Sequence, residues 1–244
     1  MRITQVRDEF IIKAIERKIR ASPQGIYHNK LFQVLKDYKL YLYGGALRDI
    51  LSCIINMKRQ EIRDFDWIVD DKLKPNPDHY IKGFKGMTRN RFGNFKWLPC
   101  KGVEMDIIPF SNADIILKKK INEQRAVSSI EEILFATDFT PNSLAYSVNE
   151  QIIYNFKAIQ AIKSKIFEIN KPKDYDHVTL AKIILQSEKL GYAIGPRARE
   201  FIESKYSSGL DDKIKDYLNY KRIANKYNHV ISRLNNIQQA TRDK

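Results

Sequence analysis

Residues 39–49 read KLYLYGGALRD and residues 64–70 read DFDWIVD, and these two stretches decide the fold. The apolar run that precedes Gly44 and Gly45 predicts a buried strand that ends in a tight turn. Helical spacing resumes after the glycines, so the turn opens directly into a helix. The alternating side chains of DFDWIVD predict a second strand, because successive residues of a strand point to opposite faces.

The two glycines could bind a phosphate group. Without side chains, Gly44 and Gly45 let the backbone approach a ligand closely, and the helix that follows presents free N–H groups. Arg48 lies one turn into this helix and could contact the same phosphates, while Asp49 could hold Arg48 in place. A Gly-Gly turn alone is a weak signal, since most such turns are structural.

Two pairs of carboxylates have the same spacing. Asp64 and Asp66 project from one face of their strand, and Glu104 and Asp106 repeat this arrangement in a later strand. Carboxylates this close repel one another unless a cation lies between them, and Mg²⁺ binds carboxylates together with phosphate oxygens. Taken singly, either pair could be an acidic edge that faces water.

The remaining elements divide the chain into two parts. Further strands are predicted at 92–98 and 102–109, with a short pair near 152–154 and 166–169. Helices are predicted at 7–21, 29–38, 140–146, 157–163, 174–191, 196–206 and 211–235. This order predicts an α+β head domain at 1–150 and an all-helical domain at 151–244.

The composition favours a polyanionic partner. The 244 residues include 43 Lys and Arg against 29 Asp and Glu, a formal net charge of +14. Basic side chains neutralise phosphates and release counterions, so nucleic acid is the leading candidate and an anionic membrane surface the second. Two cysteines exclude a disulfide framework, and four scattered histidines show no metal-ligand spacing. We expect a soluble cytoplasmic protein, because no apolar run is long enough to span a bilayer.

Residues 80–101 contain six Lys and Arg, no Asp or Glu, and five aromatic residues. Cations that bind phosphates and aromatic rings that stack on bases suit single-stranded RNA or an RNA 3′ end. The aromatic residues could equally be core residues of a strand. The RNA-binding candidates in this segment are Lys82, Lys85, Arg89, Arg91, Lys96 and Trp97.

Taken together, these motifs resemble one protein family. GG-x-x-R-D at 44–49 followed by D-x-D at 64–66 resembles the head domain of class II tRNA CCA-adding enzymes and bacterial poly(A) polymerases. Residues 138–146 (DFTPNSLAY) are similar to that family's R-R-D-F-T-I-N-A-L-A-Y segment, and residues 91–93 match its R-F-G turn. The resemblance extends from about residue 39 to about 192, with the motifs in the family's order.

The resemblance implies a polymerase-β-like nucleotidyltransferase head, followed by a helical neck-like domain. It implies that Asp64 and Asp66 bind two Mg²⁺ ions, with Asp106 as third carboxylate and Glu104 as the alternative. It also implies a nucleotide-binding set made of Gly44, Gly45, Arg48, Asp49, Asp138, Asn142, Asp176, Thr179 and Lys182.

The expected reaction is the addition of nucleotides from ATP or CTP to the 3′ end of tRNA or a tRNA-like RNA, with release of pyrophosphate. Ala136 and Thr137 replace the family's paired arginines, and Thr179 stands where its base-reading arginine should be. Thr cannot present the planar donor fork of Arg. These differences favour the transfer of one kind of nucleotide over a full CCA-adding cycle.

Two other functions remain open at this point. The same fold could transfer a nucleotide to a protein or a small molecule, as a toxin or resistance enzyme does. Alternatively, the chain could be a non-catalytic RNA-binding relative, which would bind RNA in a salt-sensitive way without metal.

Overall fold

The computed structural model describes residues 2–57, 62, 64–72, 82, 84–89, 94–113, 129–170 and 175–242. The chain divides into two compact units, of which the first contains residues 1–137 and 141–163. The second contains residues 138–140 and 164–244. Among the described residues, no helix combines the length and the apolar character needed to cross a membrane.

The described strands of the first unit form one eight-stranded sheet in the order β1-β8-β7-β2-β3-β6-β5-β4. The strands are β1 (Thr4–Val6), β2 (Lys39–Tyr43), β3 (Phe65–Asp70), β4 (Met87–Arg89), β5 (Phe95–Cys100), β6 (Val103–Pro109), β7 (Leu144–Ser147) and β8 (Ile152–Asn155). Among these strands, β3 and β6 pair in parallel, and the other neighbours pair antiparallel.

Helices cover both faces of this sheet. They are α1 (Glu9–Arg20), α2 (Gly25–Val34), α3 (Gly45–Asn56), α4 (Ile130–Phe135) and α5 (Ala158–Ser164). The apolar residues of α1, α2 and α3 share a core with Trp67 and Ile107 of the sheet. Ile68 and Ile108, on the opposite face, share a second core with α4. The alternation predicted for DFDWIVD therefore matches the observed division of side chains between two cores.

His28 of α2 lies beneath β3 without a described polar partner. It is fully buried, its ring lies 4.3 Å from that of Phe65 and 5.4 Å from that of Trp67, and neither ring nitrogen has a hydrogen-bond partner among the described residues. Burial lowers the pKa of His28 to about 4, because the apolar surroundings disfavour the charged imidazolium. At neutral pH this histidine is an uncharged core residue.

The second unit is mainly helical and has its own core. Its helices are α6 (Asp176–Leu190), α7 (Pro196–Lys205), α8 (Asp211–Tyr220) and α9 (Tyr227–Arg242), and two short strands, β9 (Ile166–Phe167) and β10 (Ala193–Ile194), pair in parallel. Its core includes Phe167, Leu180, Ile214 and Val230. The expectation of an α+β fold followed by a helical region is confirmed.

Several sequence expectations differ from the structure. Residues 140–146 are a 3-10 turn followed by β7, because Leu144–Ser147 is buried on both faces and pairs with β2 and β8. A buried strand of this kind lacks the alternation that would distinguish it from a helix. The strand near 152–154 pairs with β7 and β1, whereas the strand at 166–167 pairs with β10.

The helix predicted at 211–235 is two helices. The chain turns between Tyr220 and Tyr227, where Arg222 has a positive φ of 57°, so Leu218 of α8 and Val230 of α9 can share one core. The compact units also divide later than residue 150. Because β8 completes the sheet, the first unit extends to residue 163.

The turn between β2 and α3 provides a test of backbone conformation. Gly44 has φ 68° and ψ −128°, which side chains strongly disfavour, whereas Gly45 has no positive φ. A Cβ at Gly44 would meet no atom within 4 Å, so the penalty for Gly44→Ala is conformational. We expect Gly44→Ala to lower the free energy of unfolding by about 1–3 kcal/mol in urea denaturation.

Gly45→Ala is the matched control. Its Cβ would lie 3.7 Å from Nη2 of Arg48, an ordinary van der Waals contact, and we expect a change within about 1 kcal/mol. Equal losses for the two variants would contradict a conformational origin.

Candidate active site

The turn at Gly44 places the N-terminus of helix α3 at the end of strand β2. Gly44 is the N-cap of α3, and its amide donates to the carbonyl of Leu144 at 3.1 Å. The first N–H groups of α3 have no partner within the helix, so they can bind an anion. The structure therefore has the predicted strand–glycine–helix geometry of a phosphate site.

Arg48 is fixed above this turn. Its Nε and Nη2 both contact Oδ1 of Asp49 at 2.7 Å, and its Nη1 donates to Oδ1 of Asn142 at 2.6 Å. The Arg48 and Asp49 side chains are 7% and 11% exposed. Two acceptors thus orient the guanidinium close to Gly45, where it adds positive charge to the helix N-terminus. Asn142, a member of the predicted nucleotide-binding set, holds Arg48 in this state.

The carboxylates meet through the pairing of β3 with β6. Asp66 lies directly opposite Asp106 in the parallel register, and Asp64 immediately precedes β3. Tyr43, the last residue of β2, is the partner of Asp66 on the other side. The first carboxylate pair, the third carboxylate and the glycine turn are therefore on adjacent strands.

Lys96 completes this row. It lies opposite Asp106 in the β5–β6 pair, with its Nζ in an ion pair with Glu104 and 3.7 Å from Oδ1 of Asp106. The row across the sheet reads Tyr43, Asp66, Asp106, Lys96. Sequence reasoning placed Lys96 on an RNA surface and missed this contact. Its position between the core residues Phe95 and Trp97 already indicates that it lies on the opposite face of the strand from them.

The protonation of Asp66 reflects this crowding. Burial, together with the charges of Asp106 and Asp64, raises the pKa of Asp66 to about 7, although the nearby Lys96 opposes this shift. Burial also raises the pKa of Asp106, while Lys96 lowers it. Without a cation, the site therefore retains a proton that an ordinary aspartic acid would lose.

Asp66 and Asp106 fit a divalent cation. Oδ1 of Asp106 is buried and has no hydrogen-bond partner among the described residues, so one ligand oxygen is unused. Mg²⁺ is commonly bound by one or two carboxylates together with substrate phosphates. Within the described ranges, no three His, Cys, Asp or Glu side chains form a complete metal-binding group. Asp66 and Asp106 would supply two ligands to such an ion, and phosphate oxygens and water could supply the others.

The candidates of the second unit differ from one another. Lys182 lies 3.9 Å from Asp138, and Asp176 lies 3.9 Å from Lys205. Thr179 is 2% exposed and belongs to the core side of α6, which disfavours its predicted contact with a nucleotide. Its position matches the family's arginine, but its side chain is short and buried.

The RNA-binding candidates of residues 80–101 also divide. Lys82, Lys85 and Arg89 are exposed, whereas Arg91 lies outside the described residues. Trp97 is 1% exposed, and its Nε1 donates to the carbonyl of Lys85 at 3.0 Å. This burial disfavours the predicted stacking of Trp97 on RNA and supports the alternative that it is a core residue, because strand alternation directs it into the core.

One position where the family has arginine carries a different contact. Thr137 Oγ1 lies 2.7 Å from the hydroxyl of Tyr43 and donates to the carbonyl of Ile133 at 3.0 Å. Because Tyr43 is the neighbour of Asp66, this hydroxyl pair lies beside the carboxylate row. Sequence reasoning identified the absence of arginine here but not the contact that replaces it.

Comparisons with known proteins identify a matching family and similar folds. Residues 40–168, more than half of the chain, match the family described as the Poly A polymerase head domain. No curated protein matches the chain by sequence. The fold is similar to that of several solved structures, as the following values show.

A Thermotoga maritima CCA-adding enzyme complexed with tRNA-CCA has a TM-score of 0.64 and 15% identity, over 96% of this chain and 55% of that one. A CCA-adding enzyme with CTP has a TM-score of 0.63 and 14% identity, over 95% and 55%. A tRNA nucleotidyltransferase complexed with a primer tRNA and an ATP analogue has a TM-score of 0.58 and 16% identity, over 84% and 60%. The chain thus matches little more than half the length of these proteins, and the likeness concerns the fold.

The raised pKa of Asp66 predicts how stability depends on pH. A carboxyl group whose pKa is higher in the folded state stabilises the protein at low pH. This contribution is lost as the pH rises from about 4 through about 7. In EDTA, Asp66→Asn should therefore match the wild type near pH 4 and exceed it by about 1–3 kcal/mol at pH 8 in urea denaturation. Asp70→Asn, at the other end of β3, is the control and should show no gain. A constant difference between wild type and Asp66→Asn from pH 4 to 8 would exclude this titration.

The Arg48 contacts predict unequal losses. Asp49→Ala leaves a buried guanidinium without its charged partner, so we expect a loss of about 3–5 kcal/mol in thermal or urea unfolding. Asn142→Ala removes one hydrogen bond and should cost about 1–3 kcal/mol. If Asp49→Ala were the milder of the two, Asp49 would not be the main support of Arg48.

Proposed function

The chain belongs to the Poly A polymerase head domain family, and we propose that it is an Mg²⁺-dependent nucleotidyltransferase that adds nucleotides from an NTP to an RNA 3′ end. One observation carries the proposal. Tyr43 pairs with Asp66, and Gly44 directly follows Tyr43, so the phosphate-binding turn lies beside the carboxylate row. A triphosphate at the turn would reach the carboxylates that hold its metal.

We propose that Asp64, Asp66 and Asp106 would bind two Mg²⁺ ions. Bound Mg²⁺ would activate the RNA 3′-hydroxyl and neutralise the leaving pyrophosphate. The unused oxygen of Asp106 supports this role. The protein's own contribution is the alignment of the two substrates and a fixed field around them.

Gly44, Gly45 and Arg48 would bind the triphosphate of ATP or CTP. Arg48 is already held by Asp49 and Asn142, so little side-chain entropy is lost when a phosphate binds. Solved structures of the same fold contain CTP or an ATP analogue, which supports an NTP substrate. Asp138, Asp176 and Lys182 remain candidates for contacts with the rest of the nucleotide.

RNA is the acceptor that the charge favours. The net charge of +14 suits a polyanion, and Lys82, Lys85 and Arg89 are exposed near the β4 edge of the sheet. Two of the similar structures contain tRNA, which supports a tRNA or tRNA-like 3′ end. A small acceptor would have less use for this charge.

Transfer to a protein or a small molecule is the second candidate. It is favoured by the buried Thr179, which leaves α6 without a base-reading side chain at that position. An enzyme that does not select C and A in turn has no need of that reader.

Incubation of the protein with total RNA and each labelled NTP separately tests the proposal. We expect label at RNA 3′ ends with one NTP, and a loss of about a hundredfold or more in Asp64→Ala/Asp66→Ala, because the carboxylates hold the metal. Asp70→Asn, which alters the far end of the same strand, should keep activity within about threefold.

Each other result has a definite meaning. Equal incorporation by wild type and Asp64→Ala/Asp66→Ala would refute the proposal. Label on protein would select the second candidate, and salt-sensitive RNA binding without incorporation at any Mg²⁺ concentration would indicate a non-catalytic relative.

A further inference from the structure

Lys96 is a cation inside the carboxylate row. Its side chain is 27% exposed, and it faces two residues of β6, Glu104 and Asp106. Asp106 in turn lies between Lys96 and Asp66, since it is the register partner of both. A positive charge therefore lies beside Asp106, one of the two carboxylates proposed to bind a metal.

The contacts of Lys96 are unequal. Its ammonium group forms a close ion pair with Glu104, whereas Oδ1 of Asp106 is 3.7 Å away, beyond hydrogen-bond distance. Accordingly, Oδ1 of Asp106 has no hydrogen-bond partner among the described residues although it is buried. The ammonium group is therefore paired with Glu104, and it leaves Oδ1 of Asp106 without a hydrogen bond.

We propose that Lys96 and Glu104 form a positioning pair that sets the affinity of Asp66 and Asp106 for divalent cations. Lys96 competes with the metal for Asp106, and Glu104 limits this competition by holding the ammonium two residues along β6. The inference rests on the proposed function, because it takes Asp66 and Asp106 as metal ligands.

The competition follows from Coulomb's law. Like charges a few ångströms apart repel one another, and water screening weakens this repulsion at a partly exposed site. A dication that binds Asp106 would meet such repulsion from Lys96. The pair would make the site release its metal more readily than two aspartates alone.

This role assigns Glu104 differently from a ligand role. As a ligand, Glu104 would strengthen metal binding whether or not Lys96 were present. As a holder of Lys96, it strengthens binding only while Lys96 is present. The two roles therefore differ in the double variant, which makes the question experimental.

The experiment is a titration of the nucleotide-free protein with Mn²⁺, with the free ion followed by electron paramagnetic resonance. We expect Lys96→Met to bind Mn²⁺ about tenfold more tightly than wild type. Glu104→Gln should bind about three- to tenfold more weakly, because Lys96 is then free to cover Asp106. The double variant should match Lys96→Met.

Lys101→Met is the charge-matched control. Lys101 is exposed beyond the end of β5, so its removal changes the net charge equally but should shift the dissociation constant less than twofold. Lys96→Gln, which keeps a polar side chain, should also bind more tightly than wild type and protects the test against misfolding of Lys96→Met. Asp66→Asn should lose most of the binding.

Unchanged or weaker Mn²⁺ binding in both Lys96→Met and Lys96→Gln would overturn the proposal. So would a double variant clearly weaker than Lys96→Met, since Glu104 would then be a ligand itself. Absence of Mn²⁺ binding in wild type and in the Lys96 variants would overturn it as well. Because the readout is metal binding without substrates, a failure of RNA labelling and a failure of this inference are separate results.

Discussion

The parallel pairing of β3 with β6 is the constraint on which the site depends. It places Asp66 directly beside Asp106, and the antiparallel neighbours then add Tyr43 and Lys96 to the same row. A parallel pair requires a long connection between its strands, and here the connection from β3 to β6 contains β4 and β5. Two carboxylates held this close without a cation disfavour the loss of both protons, and burial together with the neighbouring carboxylates raises the pKa of Asp66. The rest of the first unit keeps them there.

The sheet separates stability from chemistry by its two faces. Trp67 and Ile107 bury their side chains under α1, α2 and α3, while Asp66 and Asp106 on the same strands face the other way. Large apolar side chains on one face can therefore stabilise strands whose other face carries an unfavourable cluster of like charges. Exchange of a charged residue for a neutral one in this cluster would relieve repulsion without disturbing that core.

Much of this arrangement could be predicted from the sequence, since alternation and the glycine turn are local signals. The strand containing Asp66, the strand containing Asp106 and the Gly44 turn all follow from spacing. Their register does not, because it depends on which strands pair. Trp97 and Thr179 show the limit of composition and motif matching: both occupy positions of expected function, and both are buried. Lys96 needed the β5–β6 register before its partners were known.

His28 and Asp66 give the unfolding reaction an unusual proton balance. His28 packs against Phe65 and Trp67 of β3, the strand that contains Asp66. Their pKa values are displaced in opposite directions, to about 4 for His28 and about 7 for Asp66. Near pH 5 the metal-free folded protein carries a proton on Asp66 and none on His28, whereas the unfolded chain has the reverse. Unfolding there moves a proton from a carboxyl to an imidazole with almost no net uptake from solvent. Because these two groups together exchange almost no protons with the solvent, they contribute almost no buffer ionisation enthalpy to the calorimetric enthalpy of unfolding near pH 5.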